Sequence, residues 1–224
     1  MRNITYKNLG KIGYQEAWDY QEVLFKELLD AKRNGKSPNG YLLFCEHNPV
    51  FTLGKSGSES NLLMNEAFLA QKGIEFFKIN RGGDITFHGP QQVVGYPIID
   101  LEQYEMGVKQ YIESMEEVII KTLKEYSIES ERLEGATGVW LDTNSPNVRK
   151  ICAIGVKASR YVTMHGFAFN VNTDLNYYSY INPCGFTDKT VTSMQKELGK
   201  EVNFEEAKMK LQKNFAKVFG MNFI

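Results

Sequence analysis

Ile151-Cys152-Ala153-Ile154-Gly155-Val156-Lys157 and the following Val162-Thr163-Met164-His165-Gly166-Phe167-Ala168-Phe169-Asn170-Val171 decide the fold class. The second run alternates in part and is rich in β-branched and aromatic residues, a composition that suits a pleated, buried surface. With Gly138 to Leu141 just upstream, these runs read as successive strands of a largely antiparallel sheet. Working toward the N-terminus, Val108, Tyr111, Ile112, Met115, Ile119 and Leu123 recur at helical spacing, Ile74 to Asn80 reads as a short strand, and Tyr41 to Glu46 as a buried one. Tyr14 to Arg33 carries Ala17, Tyr20, Leu24 and Leu28 on one helical face and stops at Asn34-Gly35. Working toward the C-terminus, Thr192 and Gln195 fit a capping box for a short helix, and Phe204, Ala207, Leu211, Phe215 and Val218 stripe a last one. The expectation is an α/β (α+β) fold, a mixed and mostly antiparallel sheet flanked by helices, in one domain over 1–224.

At 224 residues and 42% hydrophobic, the chain is long enough to bury a full core. Its 26 Lys and Arg nearly cancel 27 Asp and Glu, so the broad basic field that nucleic-acid binding needs is missing. No apolar run approaches a membrane span, and Met1 to Gly10 lacks the apolar stretch of a signal peptide. A cytoplasmic protein with neither nucleic acid nor membrane as partner is expected. Cys45, Cys152 and Cys184 are odd in number and far apart, which fits free thiols in a reducing compartment; no metal site is expected.

Arg81-Gly82-Gly83-Asp84-Ile85-Thr86-Phe87-His88-Gly89-Pro90 is the most suggestive loop, because paired glycines allow close backbone approach to a ligand beside the polar Arg81 and His88. It lacks the spacing and the lysine of a phosphate loop. The same residues also fit a tight hairpin whose glycines only turn the chain. Cys184 sits in Pro183-Cys184-Gly185, a loop setting where a thiol can be presented as a nucleophile, although cysteine is more often a small buried hydrophobe. Cys45 and Cys152, inside apolar runs, fit that second description. Lys150 stands just before the Ile151 strand; by composition alone a lysine there is a surface charge.

Glu46-His47-Asn48-Pro49-Val50-Phe51-Thr52-Leu53-Gly54, the Arg81 to Pro90 loop, Gln92 to Leu101, Lys150 to Gly155, Thr163 to Asn172 and Asn182-Pro183-Cys184-Gly185 follow one another in a telling order. In that order the chain closely resembles the lipoyl(octanoyl) transferases, members of the biotin and lipoate protein ligase fold group. The likeness spans most of the chain; one departure is Gln91, where the family usually has glycine. It implies that Cys184 attacks octanoyl carried as a thioester on acyl carrier protein and that the acyl group then passes to a lysine of a lipoyl domain. The acceptors it implies are 2-oxoacid dehydrogenase E2 subunits and the glycine cleavage H protein. No cofactor or ATP is implied, because a thioester exchanges with little change in free energy and amide formation is downhill.

The resemblance further implies that Lys150 lowers the pKa of Cys184, which for a free cysteine is about 8.5, and then acts as base toward the acceptor amine. It assigns the Arg81 to His88 segment (Arg81, Gly82, Gly83, Asp84, Ile85, Thr86, Phe87, His88), Ala153, Ile154 and Gly155, and Gly166, Phe167 and Ala168 to substrate contact. His88 or His165 paired with Cys184 is a second way to activate the thiol. An ATP-dependent lipoate-protein ligase, which shares the fold and needs no acyl-carrying cysteine, is the alternative activity.

Overall fold

The computed structural model describes residues 2–182 and 189–224, so Cys184 lies outside the described residues. The chain opens with strand β1 (Arg2–Lys11), helix α1 (Tyr14–Arg33) and strand β2 (Gly40–Glu46). A smaller unit follows: β3 (Val50–Leu53), α2 (Glu66–Gln71), β4 (Glu75–Lys78) and β5 (Ile85–His88). Next come β6 (Gln92–Ile98), α3 (Val108–Lys124), β7 (Glu131–Leu133), β8 (Ala136–Leu141), β9 (Arg149–Ser159) and β10 (Val162–Asn170). The last elements are β11 (Thr190–Val191), α4 (Met194–Leu198), α5 (Phe204–Phe219) and β12 (Met221–Phe223).

The main sheet runs β12-β1-β2-β6-β10-β9-β8-β7, with β11 paired beside β9. Its centre is antiparallel, while β1 pairs in parallel with both β2 and β12, and β11 in parallel with β9. Both faces are covered. Leu42 and Phe44 face α3 and α5, in the cluster with Met115, Val118, Leu211 and Phe215, whereas Leu43 and Cys45 face Ala17, Leu24 and Leu28 of α1. A strand buried on both sides has no polar face, which is why Tyr41 to Cys45 reads as one continuous apolar run. β10 is buried at every position from Val162 to Asn170, so the partial alternation read in its sequence does not mark a solvent face.

Helix α1 ends as its sequence predicts: Lys32 and Arg33 lie in the last turn, favourably placed for the helix dipole, and Gly35 takes φ 67°. The short C-terminal helix α4 differs from expectation. Its cap is Ser193, whose hydroxyl accepts from the Lys196 N–H at 3.2 Å, while the Thr192 hydroxyl donates to Glu197 instead. The small sheet has the order β4-β3-β5. Because β4 and β5 lie on opposite sides of β3 and do not pair with each other, the Arg81 stretch is a connection over the end of β3 and not a tight hairpin.

Candidate active site

A cavity of about 360 Å³ lies between the small sheet and strands β9 and β10. Ala153, Ile154 and Gly155 of β9, and Gly166, Phe167 and Ala168 of β10, line one wall; Arg81, Gly83, Asp84, Ile85, Thr86 and His88 line the other. Two expected members are elsewhere. Gly82 donates its N–H to the Val156 carbonyl at 2.9 Å and so ties the loop to β9, and Phe87 turns away from the cavity to stack on Tyr177 with centroids 4.6 Å apart. Strand alternation explains the second case, since Thr86 and His88 share a face that Phe87 does not.

The glycines serve the approach of backbone to backbone. A Cβ on Gly166 would lie 2.1 Å from the Gly95 carbonyl oxygen, and one on Gly155 would lie 2.8 Å from that of Gly82. Asp84 shapes the loop from within: its carboxylate accepts from the Ile85 N–H at 2.6 Å and from the Asn61 amide.

Lys150 lines the cavity, its ammonium 4.4 Å from the centre of the Trp140 ring. Its backbone pairs with Trp140 of β8 on one side and Val191 of β11 on the other. Arg149 holds Glu197 through two bonds of 2.7 Å each, which tie β9 to α4, and the Thr192 hydroxyl, just after β11, donates to the same carboxylate. Cys45 and Cys152 are buried, and desolvation raises the pKa of both thiols, so neither has a nucleophile's setting.

All three histidines are buried close to this cavity. His88 is bonded through Nε2 to the Thr52 hydroxyl at 3.3 Å and through Nδ1 to Gln92 Oε1 at 3.1 Å; burial first, then the nearby His47 and Arg81, holds it well below its usual pKa. His47 lies between the Ile12 carbonyl and the Tyr96 hydroxyl, and burial lowers it to about 4. His165 bonds Asn80 Oδ1 through Nε2 at 2.7 Å and is lowered to about 3, again mainly by burial. It stands at φ 59° within β10, a strained conformation for a residue with a side chain. Both nitrogens of His88 and one of His165 are thus taken by neutral protein groups, an arrangement that keeps the rings neutral and orients them.

Sequence reading missed Tyr14, which stacks on His88 at 5.8 Å, and Tyr96, Asn170 and Tyr178, all of which line the cavity. Asn170 lies inside a run read for its strand pattern, which does not say which face a ligand will share, and Tyr96 lies in the Gln92 to Leu101 stretch, read only as part of the resemblance. Nothing in the sequence marks Tyr14 beyond its place at the start of α1. Gly135, Ala136 and Thr137, from the β7–β8 turn and the start of β8, also line the cavity. Among the described residues there is no cluster of three or more His, Cys, Asp or Glu able to hold a metal ion, and no helix long and apolar enough to cross a membrane.

Residues 13–216 match the family described as the lipoyl protein ligase A/B catalytic domain. The chain is 57% identical to the octanoyltransferase of Parabacteroides distasonis over 98% of its own length and 100% of that protein's, and 53% identical to that of Christiangramia forsetii over 97% and 96%. Among solved structures it resembles a bi-partite lipoate protein ligase from Thermoplasma acidophilum, with a TM-score of 0.72 at 15% identity, covering 100% of this chain and 85% of the other. It likewise resembles a lipoate-protein ligase A bound with ATP, with a TM-score of 0.72 at 13% identity over 100% and 87%. The biotin protein ligase from Aquifex aeolicus is more distant, with a TM-score of 0.52 at 12% identity over 98% and 70%. At such identities the structural likenesses establish the fold alone.

Proposed function

The chain belongs to the lipoyl protein ligase A/B catalytic-domain family, and from that membership we propose that it is an octanoyltransferase of protein lipoylation. It takes octanoyl from octanoyl-acyl carrier protein and delivers it to a lysine of the lipoyl domains of 2-oxoacid dehydrogenase E2 subunits and of the glycine cleavage H protein. One observation carries the reading: identity of 57% to an octanoyltransferase along essentially the whole of both chains, with the Pro183-Cys184-Gly185 and Lys150 motifs intact. The reaction runs in one domain over 1–224, in the cytoplasm, without cofactor, metal or ATP.

The chemistry follows from covalent catalysis at a thiol. The Cys184 thiolate attacks the thioester carbonyl, the bond from that carbon to the carrier sulfur breaks, and the carrier thiolate leaves with a proton from the Lys150 ammonium. The acceptor amine then attacks the octanoyl-Cys184 thioester, the amide forms as Cys184 departs as thiolate, and Lys150, now a neutral amine, takes the proton that the acceptor loses. The position of Lys150 supports this. It lines the cavity and pairs with Val191, on the strand the chain enters after the segment that carries Cys184. The acyl chain fits between Gly166 and Ala168 on one wall and Gly83 to Thr86 on the other, where small residues and backbone leave room.

The competing reading is an ATP-dependent lipoate ligase, the activity named for structures that share the fold at 13–15% identity. Octanoyl-acyl carrier protein and a lipoyl domain, incubated with the enzyme in the absence of ATP, separate the two. Octanoyl-lipoyl domain should form; formation that depends on added ATP would overturn the assignment.

A further inference from the structure

A buried chain of hydrogen bonds runs from the acyl-binding loop to the strand that carries Lys150, and Gln92 is its central link. Gln92 is fully buried and does not line the cavity. Its amide Oε1 faces His88 Nδ1 at 3.1 Å, and its Nε2 donates to the Phe87 carbonyl at 3.1 Å and to Asn170 Oδ1 at 2.9 Å. Asn170 Nδ2 donates to the Thr192 carbonyl at 3.0 Å, and the Thr192 N–H donates to the Lys150 carbonyl at 2.9 Å.

Two backbone carbonyls, which can only accept, fix the directions. The Phe87 carbonyl takes the Gln92 Nε2 end and the Thr192 carbonyl takes Asn170 Nδ2, so Gln92 Oε1 is the atom that faces His88 Nδ1 and Asn170 Oδ1 the atom that faces Gln92 Nε2. An oxygen at Nδ1 requires the imidazole proton there, and neutral His88 then accepts at Nε2 from the Thr52 hydroxyl, whose oxygen accepts from Arg81 Nη2 at 3.0 Å. A side chain with one acceptor and two donor hydrogens in a plane satisfies all three neighbours, and no apolar residue of that size does.

We infer that Gln92 is a positioning residue for the transfer reaction: it locks neutral His88 in the Nδ1–H form and, through Asn170 and Thr192, holds the Lys150 backbone in register with the acyl-binding loop. The two-residue strand β11 pairs with β9, and the Asn170 bond to Thr192 adds a side-chain tie from β10 to the end of that strand. The transfer chemistry invoked here rests on the octanoyltransferase reading; the proton position on His88 does not.

Two measurements test it together. In 15N-labelled wild type near neutral pH, long-range 1H–15N spectra of the imidazoles should show His88 with its proton on Nδ1; a proton on Nε2 overturns the inference. Gln92→Leu should shift the His88 signals and lower kcat by roughly tenfold or more, with KM for octanoyl-acyl carrier protein changed by less than about threefold. Gln92→Glu keeps the acceptor for His88 but loses the amide donors, so it should retain the His88 tautomer while kcat falls, and it decides the matter should Gln92→Leu not fold. A folded Gln92→Glu with wild-type kcat and KM would overturn the inference. Wild type that transfers no octanoyl refutes the proposed activity instead, and the His88 spectrum still judges the hydrogen-bond chain.

Discussion

The Lys150 ammonium rests 4.4 Å from the centre of the Trp140 ring, and the Trp140 indole N–H is itself anchored on the Ala136 carbonyl at 2.8 Å. An ammonium on an aromatic face gains about 0.5–2 kcal/mol, most on tryptophan. Trp140→Leu removes that hold, and its loss corresponds to roughly a few-fold to thirtyfold lower transfer. Trp140→Phe should keep part of it. Steady-state rates of the two variants check the order; equal rates for both and for wild type would contradict a role for the ring.

Cys45 and Cys152 should behave as small buried hydrophobes. Both are buried in strands and desolvation keeps their thiols protonated, so native protein treated with iodoacetamide near neutral pH should be labelled at Cys184 and spared at the other two. Peptide mass mapping reads this directly. Cys45→Ala and Cys152→Ala should each cost about 1 kcal/mol in stability and leave transfer within about twofold.

Acid should weaken the fold through its histidines. Burial holds His47 at about 4, His165 at about 3 and His88 well below 6.5, whereas an unfolded chain protonates each near about 6.5. Above that pH neither state binds the protons and the stability is complete. As pH falls below it, the unfolded chain binds protons that the folded one excludes, and stability drops by up to about 1.4 kcal/mol per pH unit for each histidine. The loss continues until the folded values are reached. Tm should therefore fall from pH 7 to pH 5, and His47→Gln should flatten the slope; a Tm that does not change over this range would refute the burial argument.

Gln91 holds φ 61°, a conformation suited to glycine. The site is maintained by its N–H donating to Glu46 at 2.7 Å and by its side-chain oxygen accepting from Asn172 at 2.8 Å. Gln91→Gly relieves about 1 kcal/mol of backbone strain and loses the Asn172 bond, of similar size, so thermal stability should change little. Gln91→Val should destabilise clearly, because a β-branched residue tolerates this φ poorly.

The long helices were legible in the sequence because a helix with one buried face repeats its apolar residues every three to four positions; α1 begins and ends where Tyr14 to Arg33 predicts. Strand β1 was not, since Arg2–Lys11 is mostly exposed and Ile4 alone in it is fully buried. The two-residue β11 is too short to leave a pattern. Of the site, the loop glycines and Lys150 could be read from motifs, whereas Tyr14, Gln92 and Asn170 meet only through pairing of distant strands and helix packing. Phe87 was assigned to substrate by its place in a motif, and strand alternation sends it the other way.

Whether Cys184 carries the octanoyl group as a thioester is read by intact-mass spectrometry of the protein mixed with octanoyl-acyl carrier protein without ATP. One octanoyl group per chain is expected, mapped to Cys184, released by hydroxylamine and absent from Cys184→Ala. An unmodified wild-type protein that nevertheless transfers octanoyl to a lipoyl domain would contradict it.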